Sequence, residues 1–315
     1  MAGRRKKGHS SGGRLVFIAV VAVMLVVIYR VGYSNLSPEI EPEVETPMTV
    51  VENEKPVPEP DVIDDETPEE PEDEVNENNV VHDEFYESLS DSDKIIYDFA
   101  AAHGLSLGHY PYSIRNLLER NPETEEFVLN YPLLKDVDQK YTVPEMDDQS
   151  KGVPLLLQWD TRWGYKIYGN DVMGLTGCGP TCLSMVAMYL LNDPTLDPGY
   201  MAQFSIDNGY CVPGNGSMWA LISEGGELLG LEVEQLEMYR NEVQENLEAG
   251  NPIIMIMAPG DFTSAGHFIV VSDYVDGKLK INDPNSIIRS EKLWEFEEIE
   301  NQVSNLWALK KAEKN

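Results

Sequence analysis

Cysteine is scarce in this chain: three thiols in 315 residues, at Cys178, Cys182 and Cys211. So low and odd a count excludes a disulfide framework, the usual staple of small secreted domains. Cys178 and Cys182 are not at the CxxC spacing of a zinc pair, and no second Cys or His half-site accompanies them. Neither a metal nor another cofactor is expected. Basic residues are also few, Lys+Arg 23 against Asp+Glu 55, for a formal net charge of -32. A chain so poor in cations lacks what a phosphate backbone demands, which argues against nucleic acid as a partner. The charge excess does not decide the fold. The length suffices for one or two domains with a real core.

What is present is unevenly distributed. Arg4, Arg5, Lys6, Lys7 and Arg14 precede an unbroken apolar run from Leu15 to Tyr29. With Arg30 snorkelling toward headgroups and Tyr33 as the far end, the run approaches the roughly 20 residues of a spanning helix. Residues 1–33 therefore read as a basic tail and a transmembrane signal-anchor. The basic side stays in the cytoplasm, which places the rest of the chain outside a single-pass membrane attachment. A cleaved signal peptide is the rival reading, but Tyr29-Arg30-Val31-Gly32-Tyr33 makes a poor cleavage site. Residues 34–80 are crowded with Glu, Asp and Pro (Pro56, Pro58, Pro60, Glu69, Glu70, Pro71 among them). Like-charge repulsion and proline stiffness predict a disordered stalk.

Residues 81–146 read as a small helical lead-in. Ser90 caps a helical pattern through Ile95, Ile96, Phe99 and Ala100, and Asn121-Pro122-Glu123-Thr124 opens a further short helix carrying Phe127, Val128 and Leu129. His82, His103 and His109 lie here with nothing to pair them as ligands. Residues 150–315 have the size and the alternating signals of one α+β domain. Gly179–Leu191 reads as a buried helix and 253–257 as a buried strand. Residues 268–271 and 278–281 read as a hairpin around Asp276-Gly277, and 242–249 as a helix stopped by Gly250.

Within this domain Gly177-Cys178-Gly179-Pro180 places a cysteine, flanked by glycines, at a helix amino terminus. There the dipole and free N–H groups favour the thiolate, the nucleophilic form. A nucleophile needs a base, and His267 is the domain's one histidine, at the mouth of an apolar strand. The base needs an orienting group, for which Asp273, Asn282 and Asp283 are candidates. A strict two-residue turn at Asp276-Gly277 puts position 270 opposite 283 and gives His267 a shared face with Asn282. One extra residue in the ladder returns Asp283 to that face. An oxyanion hole can draw on the Cys178 N–H and on the Gln158 side chain.

Gln158-Trp159-Asp160, Arg162-Trp163-Gly164, Gly177-Cys178-Gly179-Pro180-Thr181, Gly266-His267-Phe268 and Asn282-Asp283-Pro284 together resemble the bacteriocin-processing type of papain-like cysteine peptidase, and within it the stand-alone extracellular branch of Gram-positive bacteria. The resemblance covers about the last half of the chain, and the lead-in around Asn121–Pro132 also looks like what precedes such domains. It implies a papain-like α+β fold, a nucleophile-bearing helix packed on an antiparallel sheet. It further implies Cys178 as nucleophile, His267 as base, Asp283 as orienter in preference to Asn282, and Gln158 as oxyanion donor. Cys182 departs from the family, which more often has a small residue there. The implied function is a membrane-anchored extracellular cysteine peptidase acting on peptide or protein, with cell-wall peptide a further candidate. Two alternatives are a catalytically silent peptide- or wall-binding module and a peptidoglycan-directed cysteine endopeptidase. A disulfide between Cys182 and Cys211 is left open.

Overall fold

A computed structural model describes residues 79–138, 140–141 and 152–312, all within one compact unit. The expected anchor (1–33) lies outside the described residues, as does the expected stalk (34–80) except for Asn79 and Val80, which open a helix. Among the described residues no helix is long and apolar enough to cross a membrane.

The amino-terminal part is helical: α1 (Asn79–Ser88), α2 (Asp91–Ala102), α3 (Tyr112–Arg120) and α4 (Glu125–Leu134). Ser90 caps α2 by accepting the Asp93 N–H, as its position predicts. Ile96, Ala100, Ile114, Leu118, Phe127 and Val128 close a small core between these helices, joined by Tyr165 from beyond them. His103 and His109 sit on the exposed side, bonded to Phe99 and Ser106.

The rest is an α+β domain. A short hairpin, β1 (Ile167–Tyr168) and β2 (Asp171–Val172), leads into α5 (Met173–Thr176), then α6 (Cys178–Leu191) and α7 (Pro198–Asp207). A second small hairpin, β3 (Cys211–Val212) and β4 (Gly216–Ser217), precedes α8 (Ala220–Leu228), β5 (Leu231–Gln235) and α9 (Arg240–Glu248). Then come β6 (Ile253–Met257), β7 (His267–Val275), β8 (Lys278–Asn282), α10 (Ile287–Glu291), β9 (Leu293–Trp294), α11 (Phe296–Ile299) and β10 (Val303–Lys311). Six strands form one sheet in the order β5-β10-β6-β7-β8-β9, antiparallel at every step. Both of its faces are covered. On one, Ile254, Ile256, Phe268 and Val270 pack on Leu183, Val186 and Ala187 of α6. On the other, Ile253, Met255, Ile269 and Val271 pack on Val243 and Leu247 of α9. That double cover is why 253–257 is a continuous apolar run rather than an alternating one. Each fully buried aliphatic side chain here contributes about 1.5–3 kcal/mol of transfer free energy.

The β7–β8 hairpin settles which face Asp283 takes. Asp276 and Gly277 adopt φ 52° and 83°, the left-handed pair of a tight two-residue turn. Val275 pairs with Lys278, and Asp273 with Lys280. Val271 then pairs with Ile281 and Val270 with Asn282, so Ser272 is an extra residue, a bulge. Position 270 thus faces 282 and not 283, and Asp283 falls on the same side of the sheet as His267.

Candidate active site

Cys178 is the first residue of α6, the helix that packs against β7. Gly179 lets the chain come close to the β3–β4 hairpin: a Cβ there would stand 2.6 Å from the Ser217 hydroxyl oxygen. The first N–H groups of a helix have no acceptor within it. Here the Gly179 N–H and the Phe268 N–H at the start of β7 both act on the Cys178 sulfur and favour its charged form. Cys178 as a residue is half-buried. Burial pushes its pKa up, but the His267 imidazole and these two N–H donors outweigh that, and the net direction is down from 9.0.

His267 is the first residue of β7, and its side chain is only 7% exposed. Its Nε2 lies 2.8 Å from Asp283 Oδ1, which leaves Nδ1 for the Cys178 sulfur. Burial alone would lower the imidazole pKa. The Asp283 charge and hydrogen bond, with help from Cys178, raise it to about 10. The two shifts run in the same sense: each group favours the charged form of the other.

Asp283 has no exposed surface. Burial would raise its pKa, but His267 and Arg289 hold it below 3.8. Its second oxygen accepts from Arg289 Nε at 2.5 Å. The Asn285 N–H bonds Oδ1, and its own N–H goes to the Ser290 hydroxyl. Asn282 points the other way and ties two carbonyls, those of Val153 and Pro154, to β8. Asp273 is exposed, and its carboxylate accepts the adjacent Tyr274 N–H. Of the three orienter candidates, only Asp283 meets the histidine.

Gln158 is buried and bridges the two sides of the site. Its backbone N–H donates to the Pro284 carbonyl, and Nε2 donates to the Gly174 carbonyl at 2.9 Å. Turning the amide over would set two acceptors against each other, so Nε2 is the atom that faces Gly174. One of its two N–H groups is thereby committed, and its Oε1 is buried without a partner among the described residues.

Cys182 is buried one helical turn after Cys178, and Cys211 is half-buried on β3; all three cysteines are free thiols. Among the described residues no group of three or more His, Cys, Asp or Glu side chains could hold a metal ion. Arg289 and Ser290 escaped the sequence reading. The one local signal was Ser286, a helix-capping residue three places before Arg289.

Comparison with known proteins agrees in one respect. The model of a family described as the Peptidase_C39 like family matches residues 150–314. None of the curated proteins matches the chain. Among solved structures, the chain is similar to the peptidase domain of Streptococcus ComA, a bi-functional ABC transporter involved in a quorum sensing pathway. The identity is 21%, over 43% of this chain and 92% of that one, with a TM-score of 0.33. A putative C39-like peptidase from Bacillus anthracis is 18% identical over 51% of this chain and 96% of that one, with a TM-score of 0.36.

Proposed function

The chain belongs to the Peptidase_C39 like family, and from that premise we propose that it hydrolyses peptide bonds through a Cys178–His267–Asp283 mechanism, outside a membrane to which its amino-terminal segment anchors it. The observation that carries the chemistry is the imidazole held at 2.8 Å by a fully buried carboxylate, with its other nitrogen turned to a thiol at a helix amino terminus. The basic cluster and the apolar run at 15–29 support the anchored, outward placement.

The Cys178 thiolate attacks the carbonyl carbon of the scissile bond. The oxygen, now negative, receives the Cys178 N–H and the uncommitted N–H of Gln158. The proton on His267 Nδ1 passes to the leaving amine as the C–N bond breaks, and a thioester remains. Water then attacks the thioester carbonyl, giving a proton to Nδ1. The C–S bond breaks, the acid product leaves, and the thiolate–imidazolium pair is restored. Asp283 touches no substrate; it fixes the ring and its charge.

A mixture of unstructured synthetic peptides, read by mass spectrometry for new amino termini, tests this. Wild type should generate them at neutral pH and Cys178→Ala should generate none. Equal cleavage by both, or none by either, would refute the proposal. The same assay on purified cell wall asks whether wall peptides are substrates.

A further inference from the structure

The helical lead-in lies before residue 150, where the family match begins, yet it reaches into the site at three points. Glu123 accepts the Ser286 hydroxyl at 2.5 Å through Oε1. Through Oε2 it accepts the Ile287 and Ile288 N–H groups at 2.7 and 3.2 Å. Asn121 donates its side-chain amide to the Asn285 carbonyl at 2.6 Å. Glu123 thus caps α10 from 164 residues away. That short helix carries Arg289 and Ser290, which grip the Asp283 carboxylate and N–H. On the opposite side, Phe127 packs flat on Tyr165, with ring centroids 4.6 Å apart. It also fills the space over Gly174, where a Cβ would stand 2.3 Å from its Cζ. Gly174 is the residue whose carbonyl holds Gln158.

We propose that the lead-in is a positioning clasp for the catalytic site: Asn121 and Glu123 fix the 283–290 turn that aims Asp283 at His267, and Phe127 fixes the backbone that aims Gln158. An isolated 150–315 fragment is then a poorly organised enzyme. Glu123 acts through Ser286, Arg289 and Asp283, and never touches substrate. A small displacement of the carboxylate is enough to matter, because reactivity depends on sub-ångström placement of the base. The inference rests on the Cys178–His267 pair being the reactive centre. The titratable groups near that pair are Asp283, the Cys182 thiol and the Tyr168 phenol, with Arg289 behind Asp283.

The test is alkylation of Cys178 by iodoacetamide, followed by intact mass across pH, in the full chain and in Glu123→Ala, Glu123→Gln and Asn121→Ala. A merely structural defect lowers the amount of folded protein and leaves the pH profile in place. A positioning defect moves the profile. Glu123→Ala is expected to slow labelling about tenfold near pH 6 and move the rising limb upward, as expected when the orienting carboxylate is displaced. Glu123→Gln, which keeps one acceptor oxygen, should lie between and serves if the alanine variant does not fold. His103→Ala, on the exposed side of the same helices, should match wild type. An activated wild-type profile that Glu123→Ala and Glu123→Gln leave unmoved overturns the clasp alone. An ordinary thiol profile in wild type overturns both the clasp and the catalytic reading beneath it.

Discussion

Asp283 makes contacts to four groups, the His267 ring, Arg289, the Asn285 N–H and the Ser290 hydroxyl. Replacing it with Asn keeps the shape and removes the charge, so the imidazolium loses its counterion. Peptide turnover should fall roughly 10²- to 10⁴-fold, with KM nearly unchanged. The Arg289 side chain also loses its partner; it is partly exposed, so water offsets some of the cost and about 1–3 kcal/mol of stability should be lost. Titration gives a second prediction with a definite sign. The His267 pKa is raised from 6.5 to about 10, so its stabilising share is whole below 6.5 and is lost as pH climbs through about 10. The Cys178 pKa is lowered from 9.0, so its share is whole above 9.0 and fades as pH falls. Between 6.5 and 9.0 the two trends oppose each other, the thiol's gain with rising pH offsetting the imidazole's loss. Asp283, lowered from 3.8, adds a further loss in acid. Urea midpoints should fall more steeply between about pH 6.5 and 9 in Cys178→Ala than in wild type; equal slopes would contradict the ion pair. Cys178 and His267 could be read from the sequence because each stood in a distinctive local frame, glycines around one and a strand mouth after the other. Arg289 could not, since its partner lies across an irregular turn with no repeating period.

At the scale of elements, the decisive feature is the one-residue bulge at Ser272. The hairpin turn was legible from Asp276-Gly277, and its strict count pointed to Asn282. The bulge adds the missing residue, though within β7 rather than at the turn. No residue type announces a bulge at a serine, so the count alone could not decide. Deleting Ser272 should return Asn282 to the histidine's side. The variant should keep its far-ultraviolet circular dichroism and lose fast alkylation of Cys178; retention of fast labelling would show that register does not place the orienter. The helix at 178–191 and the strand at 253–257 were read nearly to the residue, since each is continuous apolar chain between clear stop signals. Strands β5 and β10 were not read. Each takes its place in the sheet from partners far away in sequence: β10 lies between β5 and β6, joining segments that begin about 50–70 residues earlier. Gly174 carries a simpler prediction. Gly174→Ala must displace Phe127 and should cost about 1–3 kcal/mol, read as a lowered urea midpoint.

For the molecule as a whole, the helical lead-in and the α+β domain pack together, with Asn121 and Glu123 bonded to the turn that follows Asp283. The helical character of the lead-in was legible from capping and spacing, but its grip on the site was not, because Glu123 and Ser286 are 163 residues apart. The central claim is that Cys178 and His267 form an assembled thiolate–imidazolium pair. The most direct measurement is the rate of Cys178 alkylation by iodoacetamide across pH, by intact mass, in wild type and His267→Ala. Rapid single labelling already complete in its rise near pH 6, slowed and shifted toward the ordinary thiol range by His267→Ala, is the predicted result. A wild-type rate that climbs only near the ordinary cysteine pKa, and ignores the loss of His267, would contradict it.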